Sequence, residues 1–218
     1  MVASATIIID DFTTQVGNPG VCDPSGNCPG NLLPNPNTFN GTNILGGGTR
    51  TISATASAYD PGESAKATVT ADKLKFSSDE GTTGYMSVLW NSPVAVNASG
   101  ETLFQFQLLS ADLTGVNGQW RVTIYDGANG TGSTWGTAYT PLNGPAPPVQ
   151  NISLNLLGAP FSGTQSVLGN VQSVKFEWQG VQANDSTFDS FQFNTPEPST
   201  WILLGSALVG LAAYRRRK

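Results

Sequence analysis

Apolar and polar side chains alternate strictly over residues 50–59. Ile52, Ala54, Ala56 and Ala58 fall on one side, and Thr51, Ser53, Thr55 and Ser57 on the other. A period of two is that of a strand with one face buried. Short β-branched or alternating runs recur at 6–12, 65–71, 73–77, 85–90, 94–98, 102–109, 119–125, 134–140, 149–156, 173–178 and 188–193. In 102–109 the apolar alternates starting at Leu103 are placed in the core. Turn-forming stretches separate the runs, among them Asp60-Pro61-Gly62 and Asp126-Gly127-Ala128-Asn129-Gly130. So many short strands with little helical periodicity predict an all-β protein, a β-sandwich or jelly roll.

Two stretches break the pattern. Residues 13–48 hold five prolines, several Asn and Gly46-Gly47-Gly48, and read as a long irregular loop within a sandwich domain spanning 6–194. Residues 201–214 have no charge, no proline and Ser206 as their one strongly polar side chain. Leu and Ala dominate there, which predicts a single C-terminal hydrophobic helix. At 1.5 Å per residue it is about 21 Å long, short against a hydrocarbon core of about 30 Å. Trp201 and Tyr214 bracket it as interfacial aromatics do. Arg215, Arg216, Arg217 and Lys218 follow and should stay on the cytoplasmic side, leaving the body outside.

Charge narrows the field of functions. The chain has 218 residues, 15 acids, ten Lys or Arg and no His. Four of the cations close the chain, so residues 1–214 set six cations against 15 acids, a net charge of about −9. Nucleic acid, which needs clustered cations, is not an expected partner. Without His there is no Ser-His-Asp or Cys-His machinery, and Glu63, Glu80, Glu101 and Glu177 are scattered, so the chain reads as non-enzymatic.

Four candidate sites remain. Cys22 and Cys28 flank Asp-Pro-Ser-Gly-Asn, a tight loop that a disulfide would pin, in keeping with an oxidising compartment. Zinc is the rival, but two thiols with no His make a poor site. Asp10 and Asp11, joined by Asp189 if the first and last strands lie side by side, are candidates for a structural calcium; no other cofactor is expected. Trp90 and Trp120 belong in the core. Trp135 and Tyr139, set among small polar residues, are the best candidates for exposed rings on which a sugar could stack. Ala3-Ser4-Ala5 has the spacing of a signal-peptidase site, which makes residues 1–5 the end of an export signal and places the given start inside a longer precursor.

Pro196-Glu197-Pro198, the apolar run and the basic end resemble, in that order, the PEP-CTERM sorting signal of Gram-negative bacteria, covering 195–218. That resemblance implies an exported protein, held in the inner membrane by its tail and then processed near Pro-Glu-Pro by exosortase, a membrane-embedded transpeptidase. It implies delivery to the cell surface or an exopolysaccharide matrix. The body is loosely similar to galactose-binding-type jelly rolls, through Ile9-Asp10-Asp11-Phe12, Gly48-Thr49-Arg50 and Phe188-Asp189-Ser190-Phe191-Gln192-Phe193. The expected function is a structural or adhesive surface component. The alternative is a carbohydrate-binding module for exopolysaccharide, favoured by an exposed aromatic strip on one sheet face.

Overall fold

The structure is a computed structural model that describes residues 6–13, 20–22, 36–41, 43–57, 64–80, 82–111, 118–142, 149–182 and 184–195. Their strands are β1 (Ile7–Asp10), β2 (Gly20–Cys22), β3 (Asn37–Asn40), β4 (Thr49–Ser57), β5 (Ala65–Thr70), β6 (Lys73–Ser78), β7 (Thr83–Val96) and β8 (Leu103–Ala111). They continue as β9 (Gly118–Tyr125), β10 (Thr134–Thr137), β11 (Thr140–Leu142), β12 (Gln150–Asn155), β13 (Phe161–Gly163), β14 (Val171–Gln182) and β15 (Asp185–Asn194). Every pairing among them is antiparallel.

They form two sheets. The first has the order β12-β8-β15-β6-β5-β2, with β1 also on β15; the second has the order β13-β10-β9-β14-β7-β4-β3, with β11 also on β9. The chain crosses repeatedly between them, so consecutive strands β7, β8 and β9 alternate sheets. This is the expected all-β sandwich with jelly-roll-like crossings. The predicted C-terminal helix, 201–214, lies outside the described residues. Among those residues no helix is long and apolar enough to cross a membrane.

Alternation builds the core. β9 reads buried at Gly118, Trp120, Val122 and Ile124, and β7 is buried at every even position from Gly84 to Trp90. Facing residues close the interior with aromatic rings. Phe191 sits at the hub: its centroid is 4.9 Å from Trp90, 4.9 Å from Phe176 and 5.2 Å from Phe106. Gly84 and Gly180 lie beneath the Phe76 ring, where an added Cβ would come within 2.6 and 2.9 Å of it. Both positions need glycine for that close approach.

Three boundaries differ from the sequence pattern. The runs 85–90 and 94–98 join in one strand, β7, which pairs with β4 and β14 as far as Asn91 and with β14 again at Val96. Pro93 is tolerated there, since the pairing with β14 skips from Asn91 to Val96 and asks no N–H of it. The run 134–140 divides into β10 and β11, which pair with different parts of β9. The irregular stretch 13–48 holds β2, β3 and a 3-10 turn over Leu45–Gly47.

Candidate functional site

Asp10, offered as a calcium ligand, is fully buried and already has a cation. Arg50 Nη1 donates to its Oδ2 at 2.6 Å, Trp90 Nε1 donates to the same oxygen at 2.7 Å, and the Phe12 N–H donates to Oδ1 at 2.8 Å. The Arg50 guanidinium lies 5.3 Å from the Phe12 ring and 5.9 Å from the Phe39 ring. Burial pushes the Asp10 carboxyl above its ordinary 3.8, against the lowering pull of Arg50, Trp90 and the Phe12 N–H. Arg50 was missed in the sequence, though the signal is there. It stands two residues before Ile52, so the same alternation that buries Ile52 and Ala54 buries Arg50.

The first and last strands do lie side by side, β1 on β15. Asp189 nevertheless bonds elsewhere, its Oδ2 accepting from Lys73 Nζ at 3.0 Å on the solvent side. Asp11 accepts from the Thr13 N–H at 3.1 Å and from the Thr13 hydroxyl at 2.7 Å, as a turn cap does. The three carboxylates are therefore engaged separately. No group of three or more His, Cys, Asp or Glu that could hold a metal occurs among the described residues. Cys28, and with it the Cys22–Cys28 pairing, lies outside them, as do Pro196, Glu197, Pro198 and the segment 201–218.

Trp135 is not the exposed platform its polar neighbours suggest. It is 7% exposed, stacks on Phe161 at 6.1 Å, and its Nε1 donates to the Leu156 carbonyl at 2.9 Å. Its small neighbours admit β13 against β10, so they bury the ring rather than bare it. Trp90 and Trp120 are core, as expected.

Tyr139 is exposed, at 37%. It lies on the break between β10 and β11, on the outer side of the second sheet, with the Arg121 guanidinium 4.5 Å from its ring centroid. Glu177 ties this face together, accepting from Arg121 Nε at 2.6 Å and from Lys175 Nζ at 3.0 Å. Burial raises the Tyr139 hydroxyl above its ordinary value, helped by the Glu177 charge and opposed by Arg121. For Arg121, burial alone would lower the guanidinium, but its bond and ion pair with Glu177 outweigh that and raise it. The half-buried Tyr85 and Tyr125 project from the same face.

The outer face of the first sheet has a different chemistry. Its rows across β12, β8 and β15 run Ser153–Gln105–Gln192 and Asn151–Gln107–Asp189. Ser190, at φ 37°, has no opposite residue in β8 and forms a bulge. The bulge resets the alternation so that Phe188 and Phe191, three apart, both point inward. Beside the bulge the outer face holds a cleft of about 290 Å³, whose polar lining is Gln105, Gln107, Asn151, Ser153, Ser190 and Gln192, none of them charged. Gln105 is fixed by accepting from Gln192 and Asn194, at 3.1 and 2.8 Å, and by donating to Ser153 at 2.9 Å. The facing amides of Gln107 and Asn151 make no such bond among the described residues. This cleft was passed over in the sequence, although a signal is present: Phe188 and Phe191 are three apart and Phe191 and Phe193 two, a break in the strand period at the bulge.

β15 delivers the chain to its tail at a fixed point. Thr102 N–H donates to the Asn194 carbonyl at 3.2 Å, and the Thr195 hydroxyl bonds Gly100 O and Glu101 Oε2, both at 2.8 Å. The described residues thus define an all-β sandwich protein whose last strand, central in its sheet, leads straight into the C-terminal segment. That segment, residues 194–218, matches the family model of the PEP-CTERM protein-sorting motif.

Among solved structures, the chain is similar to the family 11 carbohydrate-binding module of the cellulosomal cellulase Lic26A-Cel5E of Clostridium thermocellum. The identity is 12% and the TM-score 0.44, over 89% of this chain and 97% of that one. A family 11 module from the same organism, in complex with a β-1,3-1,4-mixed-linked tetrasaccharide, gives 12% identity and a TM-score of 0.45, over 90% of this chain and 99% of the other. The agarase AgWH50C gives 13% identity and a TM-score of 0.42, over 66% of this chain and 23% of that one. No curated protein matches the chain.

Proposed function

We propose that the protein is an exported, non-enzymatic component of the cell surface or extracellular matrix, sorted by exosortase through Pro196-Glu197-Pro198. The sorting motif at 194–218 carries this reading. Its apolar run and basic end hold the tail in the inner membrane until processing, with the body outside the cytoplasm. An acidic body suits a protein kept dispersed during transit. In the native host, a tagged chain with all three motif residues changed to alanine should stay in the inner membrane at full mass. The parent should be found shortened at the surface or in the matrix. Identical location and mass for the two would overturn the sorting reading.

A second reading, binding to the sugars of an exopolysaccharide, is supported by the amide cleft on the first sheet. Its uncharged amides and hydroxyls suit the paired donors and acceptors of a neutral sugar, and its size is that of the smallest ligand clefts. The Tyr139 face is the rival location, because there a ring is exposed to solvent. Binding of soluble fragments of the producer's polysaccharide by calorimetry should weaken about tenfold in a Gln107→Ala/Asn151→Ala variant, the loss of roughly 1.4 kcal/mol for two hydrogen bonds. Unchanged affinity in that variant, with loss on Tyr139→Ala, would move the site to the second sheet.

A further inference from the structure

Topology gathers the chain's exit and a set of uncharged loops at one pole of the sandwich. Asn194 pairs with Leu103 at the start of β8, and Leu103 pairs with Asn155 at the end of β12. Bonds from Ala98 N–H to Leu168 O, at 2.7 Å, and from Leu156 N–H to Thr102 O, at 2.8 Å, join segments 91–102 and 155–170 at that end. These two segments contain a single charged residue, Glu101. It is 2% exposed, and its carboxylate accepts from Thr195, the residue at which the chain leaves. The pole also exposes large apolar side chains, Val94 at 73% and Leu157 at 50%. The opposite pole, where β15 begins and β6 ends, carries Asp79, Glu80 and Asp185 at or near its surface, with Lys66 3.9 Å from Asp79 and Val149 exposed.

We infer that this exit pole is a lipid-facing surface, which rests against the outer leaflet of the inner membrane while the tail is inserted. The inference rests on the sorting reading. The length of chain beyond the structure supports it. From the pinned Thr195 to Trp201, the first residue of the apolar run, there are six residue steps, at most about 20 Å of extended chain. β15 alone, ten residues at about 3.3 Å each, is longer than that tether. The body is therefore held close to the bilayer at a high effective concentration, and a weak contact is enough to orient it. Contact at the exit pole places Val94 and Leu157 at the headgroup boundary, with one partly exposed carboxylate, Asp126 beside Asn170, at its margin. Contact at the opposite pole would bring Glu80 and Asp185, and Asp79 with its partner Lys66, onto an anionic surface, a net of two negative charges.

The test is hydrogen exchange of the full chain reconstituted in vesicles of zwitterionic and anionic phospholipid, against the same chain in detergent. Amides in 93–100 and 157–166 should exchange more slowly in vesicles, and amides in 79–80 and 185–187 should not change. Inserting eight Gly-Ser residues between Thr195 and Pro196 should weaken that protection, and a Val94→Asp/Leu157→Asp variant should abolish it; both should still float with the vesicles. Flotation without protection at the exit pole overturns the pole assignment alone, whereas failure to float overturns the sorting reading with it. Protection that appears only with exosortase in the same vesicles would also overturn the inference, making the pole a docking face for the enzyme.

Discussion

Replacing Arg50 with alanine should destabilise the sandwich by about 3–5 kcal/mol, the usual penalty for removing one partner of a fully buried ion pair. Arg50 and Asp10 are both inaccessible, and their contact joins β4 in one sheet to β1 in the other. The variant leaves Asp10 with only the Trp90 and Phe12 donors. Urea denaturation at several pH values should also show a characteristic slope. The Asp10 carboxyl is already raised above 3.8 in the fold, so its contribution to stability is complete below that unfolded value and is lost as pH rises through the folded one. Removing Arg50 pushes the folded value higher still. The gap between variant and parent should therefore be widest near neutral pH and narrow on acidification. A double Arg50→Met/Asp10→Asn variant should lose less than the single change, because no unpaired charge remains. A single change as mild as the double one would show that the pair is not the clasp between sheets that its geometry implies.

Phe191→Ala should cost a similar amount, about 3–5 kcal/mol, and lower the melting temperature by roughly 2–4 °C per kcal/mol. Five rings have their centroids within 6.3 Å of Phe191, drawn from both sheets and from Phe12. No small shift of one neighbour can fill the space left at such a hub. Phe191→Leu should cost distinctly less. Calorimetry of the two variants separates the cavity from the loss of aromatic contacts, and equal melting temperatures for both would contradict the central role of the ring.

Where the backbone followed the simple period, the sequence was readable. The strict alternation of β4 was legible because β3 and β7 flank it and its inner face is covered, so every second residue had to be apolar or, at Arg50, neutralised by a partner that only folding supplies. What the period could not reveal lay at its interruptions. Ser190 looks like one polar residue among others, yet its bulge lets two phenylalanines three apart both turn inward, beneath the cleft on the outer face. Trp135 misled for a related reason, since small polar neighbours can mean either an open surface or room for an adjacent strand, and here they meant the strand. Asp10 and Asp189 lie on adjacent strands, as the reading of neighbouring termini anticipated, but each already holds a cationic side chain. The tail was the most legible stretch of all, because its signal is written in composition and order and needs no tertiary partner.

The junction at Thr195 has a mechanical consequence. A pull on the tail directed away from the exit pole is applied along β15. Ladder bonds to β8 on one side, and to β6 and β1 on the other, lie across that direction and share the load together. A strand loaded in shear at the middle of its sheet yields only when many bonds fail at once. An edge strand such as β12 could be peeled off one bond at a time. The sandwich is thus attached to its tail through the element best placed to resist being unravelled by it.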